Sequence, residues 1–144
     1  MKNVLIILIA VLFLGCSSDP KPMTKIIFLH HSTGQAIWYG GVNRYVRKLT
    51  DKSDVKSYFN QYNNKNKTNH VITKLSFPNA KPNYPYDYYN IWVKNAGDKP
   101  YMDDPTLEML TSDYDVIIFK HCFPGSLIQE DTGNPDINAN EKRI

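Results

Sequence analysis

The chain is predicted to fold as an α/β domain built on a parallel sheet, and three features of its sequence say so. Ile26-Ile27-Phe28-Leu29 is a short, unbroken apolar run that stops at His30-His31-Ser32-Thr33-Gly34. Runs of this kind, rich in β-branched and aromatic residues, are strands buried on both faces. A second run, Tyr114-Asp115-Val116-Ile117-Ile118-Phe119, ends in the same manner at Lys120-His121-Cys122-Phe123-Pro124-Gly125-Ser126. Between them lie stretches of helical periodicity, which is the alternation that a parallel sheet requires. Parallel strands carry functional groups just beyond their carboxyl ends, so His31, Ser32 and His121 are expected to share one rim.

Before the first strand comes a different kind of segment. Met1-Lys2-Asn3 is a short basic start, and Val4 to Leu14 is eleven consecutive apolar residues. That is too short to span a bilayer but suits the apolar core of a signal peptide. Phe13-Leu14-Gly15-Cys16 resembles the lipobox of bacterial lipoproteins, with Phe13 where leucine is usual. The resemblance implies that residues 1–15 are a signal peptide, that Cys16 is lipidated and becomes the first mature residue, and that the lipid holds the protein to the membrane. Ser17-Ser18, rather than an acidic residue, follows the cysteine, which by the same resemblance implies outer-membrane sorting in a bacterial cell envelope. Residues 16–24, with Pro20 and Pro22, read as a tether, and the domain as residues 25–144.

Loss of residues 1–15 removes one lysine and leaves sixteen basic against fourteen acidic residues, a net charge of +2. A charge so small gives no reason to expect nucleic acid as a partner. Cys122 is the one other cysteine, so with Cys16 lipidated no internal disulfide is expected, and Cys122 reads as a small buried apolar residue.

The helices follow from spacing. Val42, Tyr45, Val46 and Leu49 fall at i, i+3, i+4 and i+7, one face of a helix that starts near Val42 because Gly40-Gly41 loosens the chain before it. Val55, Phe59 and Tyr62 repeat the pattern with Ser53 or Asp54 as N-cap, and Asn60 to Asn69 reads as a polar loop. Val71 to Phe77 alternates as a strand; His70 opens it and is expected in solvent. Pro78 to Tyr89 holds three prolines and four tyrosines, and the prolines argue against regular structure. Asp104-Pro105 reads as N-cap and first residue of a short helix ending near Ser112.

Two chemistries are candidates. Ser32 on a tight strand-to-helix turn, beside backbone N–H groups that can stabilise an oxyanion, suggests a nucleophile; the alternative is that Ser32 and Thr33 only bond to the turn. Tyr84, Tyr86, Tyr88 and Trp92, beside asparagines, suit the apolar faces and hydroxyl edges of sugars, or else pack the long loop onto the domain. A metal site is not expected: His30 and His31 are adjacent on a strand and point to opposite faces, and no His-x-x-x-His or Cys-x-x-Cys supports them. No cofactor is expected.

The two strand-end blocks together resemble the SGNH (GDSL-like) hydrolases, in particular their divergent bacterial lipoprotein members. In that family the first strand ends in the nucleophilic serine, here matched by His31-Ser32-Thr33-Gly34, and a later acidic-then-apolar strand ends in the block that supplies an oxyanion donor, here Asp115 to Gly125. The resemblance implies a flavodoxin-like three-layer α/β/α fold with a parallel sheet, and a serine esterase of acyl or acetyl groups, with a glycan as one carrier of the ester. It implies Ser32 as the nucleophile; within this chain His31 or His121 is the candidate base, and the Ser32 and Gly34 N–H groups with His121 are the candidate oxyanion donors. The chain departs from the family at three points. His31 stands where the aspartate of G-D-S would be, the G-x-N-D block is replaced by Lys120-His121-Cys122-Phe123-Pro124, and no Asp-x-x-His occurs. Glu141-Lys142-Arg143-Ile144 reads as the first turn of a helix capped by Asp136 or Asn138, so the fold is expected to continue beyond this sequence and the general base to be His31, His121 or a residue further on. The competing expectation is a surface lipoprotein that binds glycans without chemistry.

Overall fold

The computed structural model describes residues 21–79 and 85–121. The expected signal peptide and lipid site at Cys16, most of the expected tether, Tyr84, Cys122 and the expected C-terminal helix start lie outside the described residues.

Three strands form one parallel sheet in the order β2-β1-β3. Strand β1 (Thr24–His30) is central, β2 (His70–Ser76) pairs with it from Thr24↔His70 to His30↔Ser76, and β3 (Val116–Phe119) from Ile26↔Val116 to Leu29↔Phe119. The α/β class read from the apolar runs is therefore the class observed. Asp115 locks the start of the β1–β3 pairing, since its carboxylate accepts the Lys25 N–H at 2.7 Å while its own N–H donates to the Lys25 carbonyl at 2.9 Å.

From β1 the chain enters helix α1 (Gly34–Tyr39), then α2 (Arg44–Leu49) and α3 (Asp54–Asn66) before β2. Helix α4 (Pro85–Tyr89) passes into a π-helical turn, Asn90–Lys94, and α5 (Leu107–Asp113) precedes β3. Side chains of β1 alternate between two cores. Ile27 and Leu29 pack with Phe77, Tyr88, Ile91 and Leu110 beneath α4 and α5. Ile26 and Phe28 pack with Trp38 and Ile72 beneath α1 and α3. Helices thus cover both faces of the sheet. No helix among the described residues is long and apolar enough to cross a membrane.

Several local expectations are corrected. The stretch from Asn60 is not a loop: α3 runs on to Asn66 and ends at Lys67, whose backbone is left-handed at φ 54°. Asn63 is half-buried and bonded rather than solvated. The Asn63 amide donates to the His70 carbonyl at 2.8 Å and its oxygen accepts the His70 N–H at 2.9 Å, so the helix end is tied to the start of β2. His70 is accordingly half-buried, its ring 5.8 Å from that of Tyr62, rather than in solvent.

The tyrosine-rich segment forms α4 because Pro85 occupies the first helical position, where its missing N–H costs nothing. The N-cap of α5 is Thr106, which accepts the Met109 N–H at 3.3 Å. Asp104 is fully buried instead, and both its carboxylate oxygens accept the Asn79 N–H, at 3.0 and 2.9 Å. The helix expected from Val42 begins at Arg44 with Asn43 as cap, and its apolar face is exposed: Tyr45 at 77% and Leu49 at 85%. Strand β3, expected to be buried on both faces, leaves Val116, Ile118 and Phe119 partly exposed, because β1 is its one neighbour among the described residues.

Candidate functional site

The carboxyl ends of β1 and β3 meet at one rim. Register sets Phe119 opposite Leu29, so Lys120 and His121 leave the sheet beside His30 and His31. A direct bond ties the two ends together: Lys120 Nζ donates to Thr33 Oγ1 at 3.0 Å. The shared rim expected for Ser32 and His121 is thereby observed.

The turn between β1 and α1 is tight. The Gly34 N–H donates to the His31 carbonyl at 3.0 Å and the Gln35 N–H to the Ser32 carbonyl at 3.0 Å. Gly34 is required here because the chain passes directly over His30, and a methyl group at this position would overlap the His30 Cβ. Ser32 is exposed and held at φ 47°. A left-handed backbone is rare for a residue with a side chain, and such conformations concentrate at functional turns. The Gly34 N–H, a candidate oxyanion donor from the sequence, is already committed to the His31 carbonyl. Thr33 is the N-cap of α1, yet its side chain makes no capping bond and turns to Lys120 instead.

The three histidines have different settings. His30 is buried under Gly34 with its ring 5.4 Å from that of Phe28. Burial, and then the positive charges of Lys74, His31 and Lys120, push it below the ordinary histidine value. His31 is half-buried. His121 stands edge-on to Tyr88, with ring centroids 4.5 Å apart, and burial followed by the Lys120 charge pushes it down as well. Both His30 and His121 are therefore neutral at pH 7, and the Nδ1 of each is buried with no hydrogen-bond partner among the described residues. Neither His31 nor His121 bonds to Ser32 among those residues. The described residues hold no group of three or more His, Cys, Asp or Glu arranged to bind a metal.

The aromatic residues suggested for sugar binding are not brought together as an exposed platform. Tyr88 is 5% exposed, its hydroxyl donates to the Lys120 carbonyl at 3.2 Å, and its ring is packed by Phe77, Trp92 and His121. Trp92 is half-buried and stacks on Phe77 at 5.2 Å. These two rings belong to the core, which corrects their placement on a binding surface. Tyr86 is half-buried and stacks on Tyr89 at 5.8 Å. Tyr84 lies outside the described residues.

Sequence reasoning gave Lys120 no role, although it is the first residue beyond β3. Its signal was positional: a charged residue directly after an apolar strand whose end faces Ser32. No protein-family model, curated protein or solved structure matches the chain.

Proposed function

We propose that this chain is an exported, lipid-anchored ester hydrolase of the SGNH type, with Ser32 as nucleophile and acyl or acetyl esters, including those on glycans, as substrates. The observation that carries the reading is the backbone of Ser32: an exposed serine in a left-handed turn at the end of the central parallel strand. That conformation is unfavourable for a residue with a Cβ, and a serine that only terminated a strand would have no need of it.

The chemistry is acyl transfer. Ser32 Oγ attacks the ester carbonyl and its proton passes to a histidine base, for which His31 is the adjacent group. The alkoxide leaves as the alcohol once protonated, the acyl group stays on Ser32, and water releases it by the same sequence in reverse roles. The developing oxyanion needs donors already in place. The Ser32 N–H makes no hydrogen bond among the described residues, and neutral His121 keeps one ring N–H to donate. The Gly34 N–H serves only if the turn opens. A sugar-binding surface without chemistry loses support, because Tyr88 and Trp92 pack the core.

A fluorophosphonate probe applied to the full chain should label Ser32, as read by peptide mass spectrometry. Ser32→Ala should abolish both labelling and hydrolysis of 4-nitrophenyl acetate, while Thr33→Ala should retain labelling. Equal hydrolysis by the parent and Ser32→Ala proteins would end the esterase reading.

A further inference from the structure

We infer that the ligand of the Ser32 rim is anionic: an ester bearing a carboxylate or phosphate group that the Lys120 ammonium binds. The inference rests on the ester-hydrolase reading and narrows its substrate class.

The geometry begins with Thr33. A threonine at an N-cap ordinarily spends its oxygen on a backbone N–H of the first turn. Here that bond is not made, and the hydroxyl accepts from Lys120 Nζ at 3.0 Å. The ammonium is thereby anchored one residue from Ser32. An ammonium has three donors. One is spent on Thr33, and no carboxylate among the described residues pairs with the others; the ion pair found there joins Lys56 to Asp51. A bond between an ammonium and a hydroxyl at an open rim contributes little to stability, so fold maintenance does not account for it.

A second ammonium lies on the neighbouring strand. Lys74 is paired with Phe28 in register, donates to the Tyr39 hydroxyl at 3.1 Å and lies over the Tyr39 ring at 4.3 Å. Both lysines act on His30, together with His31, and every charged group acting on it is basic. Around His30 the rim therefore presents positive charge, and no acidic group among the described residues offsets it there. A surface edge of one sign concentrates ligands of the opposite sign, and a lysine binds carboxylate or phosphate as a point charge.

The test uses the full chain and three acetyl esters: 4-acetoxybenzoate, 4-acetoxyphenyl phosphate and, as the neutral partner, methyl 4-acetoxybenzoate. Each kcat/KM is divided by the ester's own rate with hydroxide. At least one anionic ester should be favoured about tenfold over the neutral one, the scale of one charge-assisted hydrogen bond. Which anion is favoured tells carboxylate from phosphate. Lys120→Gln should bring the ratio to about one, and 0.5 M salt (on the order of a 4 Å screening length) should narrow it. Lys65→Gln, on the exposed end of α3, should leave it unchanged.

Equal handling of charged and neutral esters overturns the inference while the esterase reading stands, as does a preference that survives Lys120→Gln. If no ester is hydrolysed, the esterase reading falls, and an NMR titration of the Ser32→Ala protein with 4-acetoxybenzoate decides the rest. Shifts at Thr33 and Lys120 that vanish in Lys120→Gln support an anion site; no shifts overturn it.

Discussion

The two faces of one short sheet are finished very differently. Under α4 and α5, Ile27 and Leu29 meet Phe77, Tyr88, Ile91 and Leu110, with Leu75, Trp92, Tyr101, Tyr114 and Ile117 packed around them. Under α1 and α3, Ile26 and Phe28 meet Trp38 and Ile72, and the packing thins toward the strand starts. There a groove of about 550 Å³ opens between β1, β3 and α3, lined by Ile26, Tyr58, Phe59, Tyr62 and Val116 among others. The same strand serves both faces, so the difference lies in the connections. The chain between β2 and β3 is rich in rings that interlock. The chain between β1 and β2 spends its length on three helices, of which α2 buries nothing among the described residues. The face that carries His121 is thus the more closely packed, and on the His30 face the groove opens at the far end of the strands from His30.

The comparison is tested most severely at Phe77. Its ring is fully buried against Tyr88 and Trp92, and Phe77→Ala should cost about 3–5 kcal/mol in urea unfolding. Phe59→Ala, on the groove side and half-buried, should cost less than half of that. Equal losses would mean that the two faces are equally well packed.

A pH series sharpens the contrast next. His30 and His121 lie on opposite faces and both are pushed below their ordinary 6.5 by burial first. The unfolded chain therefore takes up protons that the folded chain resists. Stability should be level above pH 6.5 and fall as the pH drops below it. His30→Leu and His121→Leu should each remove part of the slope between pH 7.5 and 5.5. A slope untouched by both would show that these histidines are not desolvated. The smallest effect is expected at Leu49, which stands in solvent on α2: Leu49→Ser should change stability by about 0.5 kcal/mol or less.

What was legible in the sequence was what a continuous apolar run or a capping side chain dictates. Strands β1 and β3, their parallel sense and a cap at Ser53 or Asp54, which the structure places at Ser53, are of this kind, and β2 was legible from its alternation. What was not legible depended on tertiary partners. Asn63 reads as loop-forming until β2 supplies a backbone to which its amide can bond. Asp104 has the spacing of a cap but is claimed by Asn79, leaving Thr106 to start the helix. The tyrosines look like surface rings because prolines flank them, yet the helix that Pro85 starts turns Tyr88 inward. At the rim, Ser32 and His121 were found from strand ends, whereas Lys120 was overlooked because its partner, Thr33, is 87 residues distant.

The position of β1 in the sheet also sets a timetable. It is the first of the described strands to leave the ribosome, and its backbone is completed on one side only by residues near 116, as in the Lys25–Asp115 bond across a separation of 90 residues. Throughout that interval Ile26 to Leu29 is an apolar segment with an unfilled edge, the form most prone to pair with a neighbouring chain. Folding of this domain should therefore be sensitive to protein concentration during synthesis, and a holding chaperone that covers residues 26–29 should raise its yield more than any substitution at the rim.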